Sequence, residues 1–128
     1  MSYYITKTVA YPYAEAIEKT KAALKEQGFG VITEIDMKSV LKNKIDKDIS
    51  PYIILCACNP NYAYHAVQTE ENIGLMLPFN VVVREGKDGK SNVSVIDPLE
   101  AMKPVENPNL EDMAGEVRDK LSLALADL

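Results

Sequence analysis

Ile53-Ile54-Leu55-Cys56-Ala57-Cys58-Asn59-Pro60-Asn61-Tyr62-Ala63-Tyr64-His65 is the stretch on which the reading of the fold turns. Ile53 to Cys58 is a continuous apolar run, short enough for a buried strand. Asn59 offers a side-chain oxygen to the first free amides of a helix. Pro60 suits the first helical position, where a missing N–H costs nothing. Ala63, Ala66 and Val67 follow at helical spacing and make an apolar face. The stretch therefore predicts a central strand running straight into a helix, with the other elements packed around the junction. It also holds both cysteines and the only histidine of the chain.

N-terminal to this junction, Tyr3 to Val9 reads as a strand with Tyr3, Ile5 and Val9 on one face. Pro12 opens a helix through Gln27, with Tyr13, Ile17, Thr20 and Leu24 inward, and Gly28 ends it as a left-handed cap. Gly30 to Ile35 is a second strand. Asp36 caps a short helix whose apolar side is Met37, Val40, Leu41 and Ile45, and Asp46 to Ser50 is a loop.

C-terminal to the junction, Glu70 to Pro78 is apolar but carries Gly74 and Pro78, which predicts an irregular segment. Asn80 to Glu85 and Ser91 to Ile96 form a hairpin around Asp88-Gly89. Asp97-Pro98 starts a short helix, with Glu100 spaced for a capping box. A last helix begins near Asn107-Pro108 and carries the apolar stripe Leu110, Met113, Val117, Leu121, Ala124 and Leu125. Adjacent strand runs with long helices near both ends predict an α+β fold in two layers, an antiparallel sheet packed by helices.

With 128 residues, one domain over 1–128 is expected, and 47% hydrophobic residues suffice for a core. The net charge of −5 without a basic cluster argues against a nucleic-acid partner and against a polybasic membrane surface. No apolar run approaches the roughly 20 residues needed to cross a bilayer. The N-terminal residues lack the pattern of a signal peptide, so a cytoplasmic protein with reduced cysteines is expected.

Several blocks resemble one family. Gly28-Phe29-Gly30-Val31-Ile32-Thr33-Glu34-Ile35-Asp36, Ala57-Cys58-Asn59-Pro60, Leu77-Pro78-Phe79-Asn80-Val81-Val82-Val83 and Asp97-Pro98 stand in this order. Together they resemble the bacterial and archaeal domain of unknown function 302. The resemblance implies a curved antiparallel sheet backed by helices, of the type found in the TATA-box-binding protein, and a homodimer. It implies no activity. It also implies a cysteine, in many members, inside the Leu-Pro-x-Asn-Val block, where this chain has Phe79; a dithiol or metal role is then either lost in this chain or has to use Cys56 instead.

The chemistry-bearing residues are few. Cys58 lies just before a helix N-terminus, whose dipole favours negative charge, and is the one candidate catalytic residue. Cys56 shares its strand face and reads as a small core hydrophobe. The two cysteines with His65 supply three ligands at a non-zinc spacing, so no metal and no cofactor are expected. His65 is about two helical turns beyond Cys58, too far for contact, and reads as a surface residue. Glu34 and Asp36 share a strand face, Asp36 as a cap and Glu34 as a solvated acid. Gly28-x-Gly30 lacks the rest of a dinucleotide fingerprint.

The expected site is a small-molecule binding or sensing pocket formed by Cys58, Asn59, Tyr62, His65 and Glu34. The alternatives are a thiol-dependent enzyme or redox protein using Cys58, and a homodimeric protein-interaction domain.

Overall fold

The structure is a computed structural model and describes residues 2–128. Strand β1 (Tyr4–Val9) leads to helix α1 (Tyr13–Glu26), strand β2 (Gly30–Asp36) and helix α2 (Met37–Ile45). Strand β3 (Tyr52–Cys58) and helix α3 (Pro60–Thr69) follow, then a 3₁₀ segment (Glu71–Met76). Strands β4 (Phe79–Glu85) and β5 (Ser91–Ile96) form the hairpin, and helices α4 (Pro98–Met102) and α5 (Glu111–Ala126) end the chain.

The strands form one open sheet in the order β1-β5-β4-β3-β2, with every neighbouring pair antiparallel. The α+β expectation therefore holds. One detail is corrected: β4, not β3, is the central strand. The apolar run of β3 arose because it is buried beside the edge strand, with Leu55 and Ala57 facing the helices and Cys56 buried on the opposite side.

Alternation divides the sheet cleanly. Val9, Ile53, Leu55, Phe79, Val81, Val83, Val93 and Val95 are buried and share the core cluster with residues of α1 and α5. The stripe on the last helix is buried at every position, from Leu110 to Leu125. Together these residues form one apolar cluster that also takes in Phe29, Ala66 and Ile73.

The helix ends follow the side chains that precede them. Asp36, Asn59 and Asp97 each accept a backbone N–H from the first turn of the next helix. Glu100, expected in a capping box, turns instead to Lys103, with an Oε1···Nζ distance of 3.0 Å. Asp97 does more than cap. Its second carboxylate oxygen accepts from Nε of Arg118 at 3.0 Å, which ties α4 to α5. The carbonyls left free at the end of α5 receive the ammonium of Lys7, whose Nζ lies 3.0 Å from the Leu128 oxygen and 3.3 Å from that of Leu125.

Among the described residues, one buried side-chain polar atom is left without a partner. Thr20 Oγ1 lies in the core under α5, beside a void of about 10 Å³ lined by aliphatic side chains. An unmatched buried hydroxyl costs about 1–3 kcal/mol. Valine has nearly the same shape and helix propensity. Thr20→Val is therefore expected to raise the unfolding free energy by about 1 kcal/mol, read as a higher urea midpoint at unchanged slope. A fall in the midpoint would show that the hydroxyl is satisfied in solution.

Candidate functional site

The strand-to-helix junction builds a cavity. The end of β3 contributes Ala57 and Cys58, and Asn59 closes the turn. On α3, Tyr62, Ala63 and Val67 form one wall. The segment Gly74, Leu77 and Pro78 leads into Phe79 of β4, which lies beside Ala57 in the sheet. Met113 of α5 and Ile32 of β2 complete the lining. The cavity has a volume of about 260 Å³ and no charged side chain in its wall.

Local backbone features explain why these residues converge. The pairing register slips between Val31 and Thr33, so Ile32 is the extra residue of a bulge at the edge strand. Asn59 Oδ1 accepts from the amides of Asn61 at 3.1 Å and Tyr62 at 3.3 Å, fixing the direction of α3. Gly28 ends α1 at φ +85°, and a Cβ there would meet Asn59 Nδ2 at 2.9 Å. Glycine thus serves twice at that position, for the left-handed cap and for the close approach of the Asn59 amide.

The residues proposed from sequence divide into three groups. Cys58, Asn59 and Tyr62 line the cavity together. His65 is exposed and lies in a wider cleft between α3 and α5, with Asp112 and Glu116. Glu34 stands apart: it pairs with Leu55 in the sheet, so its side chain points to the helix layer, where it forms an ion pair with Lys21 of α1. Among the described residues, no group of three His, Cys, Asp or Glu side chains is placed to hold a metal ion. Sequence reading missed the far walls of the cavity. Phe79, Leu77, Met113 and Ile32 carry no chemical signal, and only the fold brings them to Cys58.

Tyr62, in this wall, has a displaced protonation equilibrium. Burial, together with the Glu116 carboxylate, raises its phenol above the ordinary value of 10.0. A raised pKa in the folded state means that the stability from this group is fully present below the unfolded value. It is lost as the pH climbs through the folded one. The protein is therefore expected to lose stability above about pH 10, and Tyr62→Phe to flatten that loss. Urea midpoints measured on both sides of that pH check it, and identical slopes for the two proteins would disprove it.

The pattern of the family described as Domain of unknown function DUF302 matches residues 5–128. The chain belongs to this family. It is similar along its length to the crystal structure of an uncharacterized conserved protein DUF302 from Bacillus stearothermophilus. The TM-score is 0.91 and the identity 25%, with 99% of this chain and 98% of that chain covered. No curated protein matches the DUF302 chain. No helix among its described residues is long and apolar enough to cross a membrane.

The two thiols of this DUF302 protein differ in access. Cys56 is buried within β3, whereas Cys58 is half-buried at the cavity wall, and neither forms a disulfide. A reagent reaches Cys58 without unfolding the sheet. Cys58 is expected to be alkylated at least several-fold faster than Cys56 in the native protein. Peptide mapping by mass spectrometry after timed alkylation decides this, and faster labelling of Cys56 would reverse the ranking.

Proposed function

We propose that this domain binds a small, neutral, largely apolar molecule in the cavity at the β3–α3 junction. The observation that carries the reading is the cavity itself, about 260 Å³ of apolar wall with the Cys58 thiol and the Asn59 and Tyr62 side chains as its few polar features. Ligand sites commonly combine such an apolar lining with a few polar groups that set orientation. A charged molecule would find no counter-ion in this wall and would lose its hydration. Sensing would follow from binding, because α3 and α5 both contribute to the wall.

Naphthalene serves as the test probe, followed by amide chemical shifts. Binding is expected in the wild type and absent in Ala63→Trp, where the indole fills the cavity from α3. Native mass spectrometry of the freshly purified protein then asks which molecule it carries. Equal binding by a well-folded Ala63→Trp would reject the site. If Cys58 is modified covalently by what co-purifies, the thiol-enzyme reading takes its place.

A homodimer is a second reading, supported by a different observation. Ile32 and Ile35 on the edge strand β2, and Val40 and Ile45 on α2, are exposed large hydrophobic residues. No residue of α2 is buried. A symmetric contact across this edge would cover them. Light scattering over a hundredfold dilution is expected to show a dimer dissociating, and a monomer at every concentration would end this reading.

A further inference from the structure

The sheet face opposite the core cluster has an unusual charge pattern. The chain contains 19 Asp and Glu residues. By strand alternation and register, none of them projects from a strand onto this face. Glu34 turns to Lys21 on the other side, and Asp36 turns the same way as Glu34 and caps α2. The one charged side chain that a strand places here is Arg84 of β4, which is exposed.

The polar side chains of this face fall into two sets. Thr6, Thr8, Asn92 and Ser94, on β1 and β5, hydrogen-bond one another at 2.8–3.2 Å. On β4 and β3, the side chains of Arg84, Asn80 and Tyr52 have no hydrogen-bond or ion-pair partner among the described residues. Tyr52 lies directly across from Arg84 in the sheet. All three line one trough of about 360 Å³, with Val82 at its floor and Tyr4 at its far side.

We propose that this trough is a second binding site, for a planar aromatic carboxylate. The guanidinium of Arg84 offers paired N–H donors whose geometry matches a carboxylate. Four residues along β4, at about 3.4 Å per residue, separate Arg84 from Asn80. That length accommodates a fused two-ring body between the acid group and the Asn80 amide. Val82 supplies an apolar floor for the ring, and the Tyr52 and Tyr4 rings supply aromatic sides. No carboxylate projects onto this face from the strands, although the whole protein is acidic. This site differs from the junction cavity in chemistry, since that cavity holds no charged side chain.

The test compares 2-naphthoate with its neutral counterpart 2-naphthamide on the intact protein. Naphthoate is expected to bind more tightly, to shift the amides of Asn80, Val82 and Ser94, and to weaken as salt is added. Arg84→Gln is expected to weaken naphthoate by about tenfold or more while leaving naphthamide unchanged. Naphthalene binding near Cys58 should be the same in Arg84→Gln, so failure of one site is distinguishable from failure of the other. Equal affinity for the acid and the amide, unchanged naphthoate binding by Arg84→Gln, or shifts confined to the Cys58 cavity would overturn the proposal. So would a dimer that buries Arg84 and excludes naphthoate, which would give this face to a second copy of the chain.

Discussion

Leu121→Ala is expected to lower the unfolding free energy by about 2–5 kcal/mol. Leu121 is fully buried, in the stripe that α5 lays against the core. Truncation removes the burial of its outer methyl groups and leaves a space that rigid neighbours cannot close. Those neighbours belong to both layers. Helix α5 contacts α1 as well as strands β1 and β5, and its buried residues share one cluster with theirs. Neither a sheet pinned by its hydrogen-bond ladder nor a packed helix moves easily into the gap, which points to the upper half of the range. Urea denaturation followed by circular dichroism measures the loss, and a shared midpoint for helix and sheet signals would show that the chain unfolds as one cooperative unit. A loss below about 0.5 kcal/mol, typical of surface changes, would show α5 to be peripheral.

That stripe was legible because a helix writes its buried face at fixed spacing. Leu110, Met113, Val117, Leu121, Ala124 and Leu125 repeat at three and four, and each proved buried. The caps were legible for a similar reason, since Asp36, Asn59 and Asp97 each act on an amide two or three residues away. Long-range pairings leave no such trace. Nothing local tells Ile53–Cys58 that β4 lies on one side and the edge strand β2 on the other, so burial on both faces passed for a central place. Lys7 caps a helix that ends more than a hundred residues later, and nothing near Lys7 announces it.

The candidate site was legible to the same extent. Cys58, Asn59 and Tyr62 lie within one strand–cap–helix stretch, and all three line the cavity. Glu34 was included for its charge, but the face it occupies depends on its pairing with Leu55 and on a bulge at Ile32 that alternation alone cannot show. His65 shares α3 with Tyr62 yet faces the cleft toward Asp112 and Glu116 rather than the cavity. The apolar half of the wall had no sequence signature, because Phe79 or Met113 reads equally well as ordinary core.

Phe79 is where core and cavity meet, and its truncation is expected to affect both. The side chain is 4% exposed, belongs to the core cluster and lines the cavity. Phe79→Ala is expected to cost about 3–5 kcal/mol, the usual range for a buried aromatic ring. It should also deepen the cavity toward the sheet, since the ring projects from the position beside Ala57 on β3. A neutral probe larger than naphthalene, such as anthracene, should then bind the variant better than the wild type. Phe79→Leu separates the two effects: it keeps most of the buried volume and should cost less than about 1.5 kcal/mol, with little gain for the larger probe. Stability equal to wild type in Phe79→Ala would show that the ring is not packed. A full loss of stability with no gain for anthracene would show that the core collapses into the vacated space, leaving the cavity bounded by α3 and Met113 alone.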